Sequence, residues 1–396
     1  VKQLLLLAGS ILAALSLAET GARLWLPPPQ RVTVRIAPDL DRRLQSENAT
    51  PRRADYRGAV NALFVKTPTG RRLRANTEVT IEHHYLSQRT IVLRTNSLGF
   101  RGPEIGPREA GRMRALFLGD SITMAHYLPE EETFVHLVGA LSEKTPHPIE
   151  TVNAGVGGIG METELAIFEE TGWRADPDVV VLQFYLNDVQ ESPGVGIVRL
   201  PAALEWSRLA QYAAFALPRF AGRDDFQIGE PEMSRWLGEI RARAPQPPEF
   251  GALVQENYRD WGGAWSDGVW RRLDPVLAEF QRRTARRGTA LRIVAFPSEP
   301  QVSIAGASDW PQRRLRETAD RIGVPVLDLL PALRAARGAS IEPLFYDVCH
   351  HTPAGSRVVA AAILDFLQAR PAPRRPGARP VPAPARAGET ANPSAG

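Results

Sequence analysis

Five short apolar runs punctuate the middle and end of the chain: Arg114–Leu118, Ile149–Ala154, Val179–Tyr185, Leu291–Phe296 and Val324–Leu329. They are rich in Val, Ile and Leu with little polar alternation, the pattern of strands buried on both faces. Most intervals between them carry helical periodicity, as in Glu131–Glu143, Glu162–Thr171 and Trp265–Arg287. Strands alternating with helices predict an α/β fold with a parallel sheet covered on both sides.

Two regions break this rhythm. Residues 30–110 mix short β-like runs (Val32–Ile36, Ala62–Val65, Val79–Ile81, Thr90–Leu93) with Arg/Pro/Asn-rich turns, which predicts a small β-rich lead-in. Between the third and fourth runs lies an insertion of about a hundred residues, 190–287. It shows helical periodicity in Leu204–Leu217 and Glu232–Ile240 and a break at PQPPEF, 245–250. It reads as a helical elaboration over the C-terminal edge of the sheet, where such folds bind ligands.

The N-terminus adds a location. Leu4–Ala18 is an uncharged apolar run after Lys2, suited to a signal-peptide core, with Ser16-Leu17-Ala18 as a small-residue cleavage site. Trp25 and the prolines at 27–29 suit an uncleaved anchor over residues 4–26 equally well. Either way an exported protein is expected, periplasmic or at the cell surface, with residues 1–29 as signal or anchor and 111–370 as the main domain.

Composition narrows the partners. In 396 residues, 43% hydrophobic and 23% charged, the chain has enough apolar content for a substantial core. The formal charge is +4, but residues 371–396 hold four Arg and one Glu, so +3 of it sits in that Pro/Ala/Arg-rich stretch, expected to be a disordered tail. Little basicity remains for nucleic acid. Cys349 is the one cysteine, which excludes an internal disulfide, and no metal-ligand spacing accompanies it. No metal and no cofactor are expected. Gly155, Gly157 and Gly160 do fit G-x-G-x-x-G, but Val179–Tyr185 contains no carboxylate and Asp188 lies beyond its end, so the dinucleotide reading fails.

Four segments could carry chemistry. GDSIT (119–123) follows the first strand and places Ser121 at the sheet edge, as a nucleophile or as the N-cap of the next helix. NAGVGGIG (153–160) follows the second and can turn backbone N–H groups toward a ligand, or simply turn. YLND (185–188) ends the third; Asn187 can donate its amide above the edge or close an Asn-Asp turn. In YDVCHHTPAG (346–355), Asp347 stands three residues before His350, a spacing that lets a carboxylate orient an imidazole. Thr352 and Pro353 read as N-cap and first position of the last helix, and Cys349 as a small buried residue. A sheet edge collecting all four supplies nucleophile, oxyanion donors, base and orienter.

GDSIT, NAGVGG, LND and DVCH together resemble the four blocks of the SGNH (GDSL) hydrolase superfamily. The resemblance covers roughly 114–188 and 290–367, and TNSLGFRGPE (95–104) resembles the lead-in of exported, anchored bacterial members. It implies a flavodoxin-like α/β/α sandwich and acyl-ester hydrolysis or transfer. By motif it implies Ser121 as nucleophile, His350 as base with Asp347, and an oxyanion hole of the Ser121 and Gly158 N–H groups plus the Asn187 side chain. Two departures stand out. Tyr185 replaces the usual Gly of the third block, and the His is doubled, with spacing favouring His350 over His351. The expected substrate is an acylated carbohydrate or other ester, with O-acetyl groups of envelope or extracellular polysaccharide foremost. An O-acetyltransferase using the same site and a non-catalytic glycan-binding scaffold are the alternatives.

Overall fold

The computed structural model describes residues 2–25, 31–36, 63–84, 86–189, 204, 206–210 and 263–369. The helical stretches expected at Leu204–Leu217 and Glu232–Ile240, and the tail at 371–396, lie wholly or mostly outside them.

Helix α1 (Lys2–Trp25) contains a 21-residue stretch, Leu5–Trp25, long and apolar enough to cross a membrane by length and composition. Leu5, Leu6, Leu7, Leu12, Leu15, Leu17 and Leu24 are exposed, and Glu19 near the helix end accepts hydrogen bonds from Ser207 Oγ (2.8 Å) and the N–H groups of Arg208 (2.9 Å) and Leu209 (3.0 Å).

The lead-in comprises β1 (Arg31–Ile36), the hairpin β2 (Phe64–Thr67) and β3 (Gly70–Leu73), then β4 (Thr77–Glu82) and β5 (Ile91–Arg94). Strands β1, β4 and β5 form an antiparallel sheet in that order. Alternate burial along β4 turns Thr77, Val79 and Ile81 inward, as expected of a sheet with one covered face. Leu63, Leu73, Val79, Ile81, Ile91 and Leu93 join the same apolar core as the main sheet.

The main sheet is β6 (Met113–Leu118), β7 (Ile149–Asn153), β8 (Val179–Phe184), β9 (Ala290–Ala295) and β10 (Val326–Asp328). All neighbours are parallel, in the order β10-β9-β8-β6-β7. Counted from β6, this is the flavodoxin-like order, whose switch point lies between the first and third strands, β6 and β8. Every residue of β6 and β8 is buried, as a sheet with two covered faces requires. The fold is therefore the expected α/β/α sandwich.

The intervening helices are α2 (Ser121–Met124), α3 (Phe134–Ser142), α4 (Met161–Glu170), α5 (Asp267–Arg286), α6 (Glu299–Ser303), α7 (Trp310–Arg321), α8 (Leu330–Ala339) and α9 (Pro353–Ala369). Helix α9 packs on α3 and α8, whereas α5 packs on α4 and α7, giving two helical layers. Boundaries move where caps decide them. α3 begins at Phe134 rather than Glu131, because Thr133 is extended and its hydroxyl accepts from His136 N–H at 3.2 Å. The last strand is shorter than expected at both ends, since the chain already turns helical at Leu329 to enter α8. Thr352 caps α9 as expected, accepting from Gly355 N–H at 3.2 Å.

Candidate active site

β6 ends at Leu118, and Gly119 and Asp120 carry the chain over the sheet edge into the single turn of α2. Asp120 caps that turn, its Oδ1 accepting from Ile122 N–H at 2.8 Å. The capping role left open for Ser121 thus belongs to the residue before it. Gly119 is dictated by crowding: a Cβ there would meet Gln183 Oε1 and Thr123 Oγ1 at 2.3 Å. The carbonyl end of α2 is gripped by Arg101, which donates to the carbonyls of Met124 (2.6 Å), Ala125 (2.5 Å) and Leu128 (2.7 Å). A cation at the C-terminal end of a helical turn is electrostatically favoured. Burial brings this guanidinium down to about 10, against the pull of Glu130.

Ser121 Oγ lies 3.0 Å from His350 Nε2, and His350 Nδ1 lies 2.7 Å from Asp347 Oδ2. With Nδ1 donating to the carboxylate, Nε2 is the acceptor and the serine hydroxyl donates. Asp347 Oδ1 also accepts from the N–H groups of Cys349 (2.9 Å) and His350 (2.8 Å). The three-residue spacing lets the carboxylate grip its own loop as well as the imidazole. Burial works to raise Asp347, but His350 and these donors hold it below its ordinary value. Burial works to lower His350, yet the Asp347 carboxylate prevails and raises it. The buried Tyr127 ring meets the imidazole edge-on at 4.8 Å.

The doubled His divides cleanly. His351 is buried with its ring centroid 4.6 Å from that of Phe345 and 5.6 Å from that of Phe296. Burial, followed by His350, pushes it down to about 3, so it is neutral. Cys349 is buried as expected, with Sγ 3.4 Å from His350 Nδ1, and burial followed by Asp347 pushes its thiol well up. Among the described residues, Asp347, Cys349 and His350 are the group whose donor atoms gather closely enough for a metal, within 4.8 Å of one another. Those donors already contact each other.

The glycine loop passes the serine at Gly157, where a Cβ would lie 3.9 Å from Ser121 Cβ, and the next residue, Gly158, has φ of +71°, a conformation suited to glycine. Among the described residues, neither the Ser121 N–H nor the Gly158 N–H has an acceptor. β8 ends beside them. Tyr185 N–H donates to Asp188 Oδ2 at 2.8 Å, closing the turn that carries Asn187, which is 9% exposed. Tyr185 has no left-handed φ, so the glycine expected at this position is not required by the backbone. Its side chain is buried and interacts with the Cys349 thiol.

The roles of five residues escaped the sequence reading. Gln183 Oε1 accepts from Asp120 N–H (3.1 Å) and Thr123 Oγ1 (2.9 Å), tying the serine turn to β8. A lone amide inside the apolar run VVVLQF was the available signal. Arg101 lies in the lead-in motif, where only a resemblance pointed to it. Asp120, Glu164 and Asp188 form a buried carboxyl group behind Asn187; burial foremost, then mutual repulsion, raises Glu164 and Asp188 well above the usual carboxylate range. Asp120 is raised by burial, with Ile122 N–H and the Asn187 side chain opposing.

The family model for the GDSL-like Lipase/Acylhydrolase family matches residues 117–358. No curated protein matches the chain in sequence. Among solved structures, LAE5, an alpha/beta hydrolase from the metagenome of Lake Arreo, Spain, is 20% identical over 65% of this chain and 94% of its own, with a TM-score of 0.37. A catalytic mutant of Axe2, an acetylxylan esterase from Geobacillus stearothermophilus, is 18% identical over 65% and 93%, with a TM-score of 0.37. The acetyl xylan esterase AlAXEase is 14% identical over 64% and 100%, with a TM-score of 0.38. With the match spanning all four sequence blocks, this chain belongs to the GDSL-like lipase/acylhydrolase family and is an ester-hydrolysing enzyme.

Proposed function

We propose that the chain is an exported serine esterase that removes short acyl groups, acetyl foremost, from envelope or extracellular polysaccharide. The observation that carries the reading is the relay Ser121 Oγ–His350 Nε2 (3.0 Å) and His350 Nδ1–Asp347 Oδ2 (2.7 Å) at the sheet's switch point. His350 takes the hydroxyl proton as Ser121 Oγ bonds to the ester carbonyl carbon. Negative charge moves onto the carbonyl oxygen, facing the N–H groups of Ser121 and Gly158 and the Asn187 amide. Collapse breaks the bond to the sugar oxygen, which leaves with the proton from His350. Water, deprotonated by His350, then attacks the acyl-enzyme and releases the carboxylic acid and free Ser121.

Export is supported by α1, whose apolar stretch of about 31 Å matches a bilayer core; the Glu19 contacts with 207–209 favour retention as an anchor.

The test is acetate release from acetylated polysaccharides, with an aryl acetate as simple substrate. Ser121→Ala should lower turnover by at least about 10⁴-fold. Acetyl transfer to a glycan with little hydrolysis would make the enzyme an O-acetyltransferase instead. Absence of acetate release from either substrate by the unsubstituted enzyme would overturn the reading.

A further inference from the structure

We propose that Arg71, on the lead-in hairpin, is a positioning residue of the oxyanion site: it holds the Gly157–Gly158 peptide so that the Gly158 N–H faces the reacting carbonyl. The proposal rests on the reading of Ser121, Gly158 and Asn187 given above.

Arg71 Nη1 donates to the Gly157 carbonyl at 2.9 Å. That oxygen and the Gly158 N–H are the two ends of one planar peptide, trans like every described peptide bond, so they point in opposite directions. Gripping the oxygen therefore aims the N–H. Two consecutive glycines otherwise leave this peptide free to rotate between left- and right-handed conformations. The grip also acts electronically. A charged donor on the carbonyl draws electron density from the amide nitrogen and strengthens the N–H as a donor, the cooperative effect of linked hydrogen bonds.

The guanidinium is itself held. It lies 5.0 Å over the Phe64 ring, and the hairpin is pinned to α4 by Arg72, whose Nη2 and Nε donate to Glu170 Oε2 at 2.8 and 3.1 Å. The Thr69 hydroxyl bonds the same carboxylate group, and Thr163 on α4 donates to the Thr69 carbonyl at 3.4 Å. Helix α4 starts immediately after the glycine loop, with Gly160 at its N-cap. Loop, helix and hairpin are thus tied into one unit, with Arg71 closing the circuit onto the peptide that matters.

The experiment compares kcat and KM on an aryl acetate for the full chain and for Arg71→Met, Arg71→Gln and Arg71→Lys, with Ser121→Ala as control. Arg71→Met should lower kcat about 10-fold or more with KM within about twofold. Arg71→Gln, which keeps a neutral donor, should fall between. Arg71→Lys, which keeps charge and donor, should restore most of the rate. Affinity for an alkylboronic acid, whose tetrahedral serine adduct places an oxygen at the same point, should fall in parallel with kcat/KM. A kcat within twofold of the parent for Arg71→Met overturns the proposal, as does a raised KM at unchanged kcat, which would mark Arg71 as a substrate contact. If Arg71→Met fails to fold, equal losses in the Gln and Lys variants that track their melting temperatures overturn it too. Retained hydrolysis in Ser121→Ala would instead remove the site reading beneath the proposal, whatever the Arg71 variants do.

Discussion

Ser121 stands between Asp347 on one side and a set of buried carboxyl groups on the other, and the two meet opposite fates. On the histidine side, Asp347 receives three donors: the N–H groups of Cys349 and His350 and the imidazole Nδ1. On the other side, behind Asn187, among the described residues neither oxygen of Glu164 has a partner, and Asp188 receives one backbone N–H on Oδ2 and nothing on Oδ1. Burial opposes ionisation in both places, but only at Asp347 do His350 and the backbone donors reverse it. Several donors aimed at a carboxyl favour its anion here, and burial with few or none favours the acid. The division suits the proposed acyl chemistry: Asp347, kept anionic, would face the imidazolium, while burial at Glu164 and Asp188 disfavours charge on the side proposed for the oxyanion.

The contrast is broken most severely from the histidine side. Asp347→Asn should lower kcat about 10³–10⁴-fold. His350 is raised above its ordinary 6.5 by this carboxylate, so kcat/KM of the parent enzyme should fall as pH drops through that raised value. In the variant the acid limb should move to lower pH, which a kcat/KM profile would reveal. Next comes Asn187→Ala, expected to cost about 10²–10³-fold, in kcat more than in KM. The reverse split would remove Asn187 from the oxyanion site. The smallest effect is expected at Glu164→Gln, with turnover within about twofold, because burial already disfavours the charge that the substitution removes. Its signature is in stability. The folded chain holds a proton on Glu164 that the unfolded chain releases above the ordinary 4.5, so this residue costs stability as pH rises from there towards the folded value. The variant should therefore melt higher than the parent, with the gap widening with pH over that window; a constant or shrinking gap would show Glu164 ionised in the folded enzyme.

Much of the frame is legible because burial on both faces leaves a long, simple trace. The runs at 114–118, 179–185 and 291–296 lie within two residues of β6, β8 and β9. Ends are less legible, since one cap decides them, as Thr133 does for α3. The Asp347–His350 spacing could be read because both lie on one loop, where sequence distance limits spatial distance. Gln183 and Arg101 could not be assigned roles, because each acts on backbone that is remote in the chain: Gln183 on Asp120, Arg101 on Met124 to Leu128. A polar side chain that satisfies distant carbonyls or amides leaves no periodic pattern.

By itself the sequence determined which segments become strands, that these strands are buried on both faces, and which four blocks could supply acyl chemistry. It did so because secondary-structure period, capping and local turns are short-range properties. The tertiary structure brings His350, the histidine its spacing favours, to the serine, and it alone decided that Asp120 rather than Ser121 caps the turn and that Tyr185 stands without a left-handed φ where a glycine was expected. It alone joined Arg71 to Gly157 and Arg101 to the serine helix. Those choices depend on which atoms face each other across the packed sheet edge, and burial and hydrogen bonding are settled there.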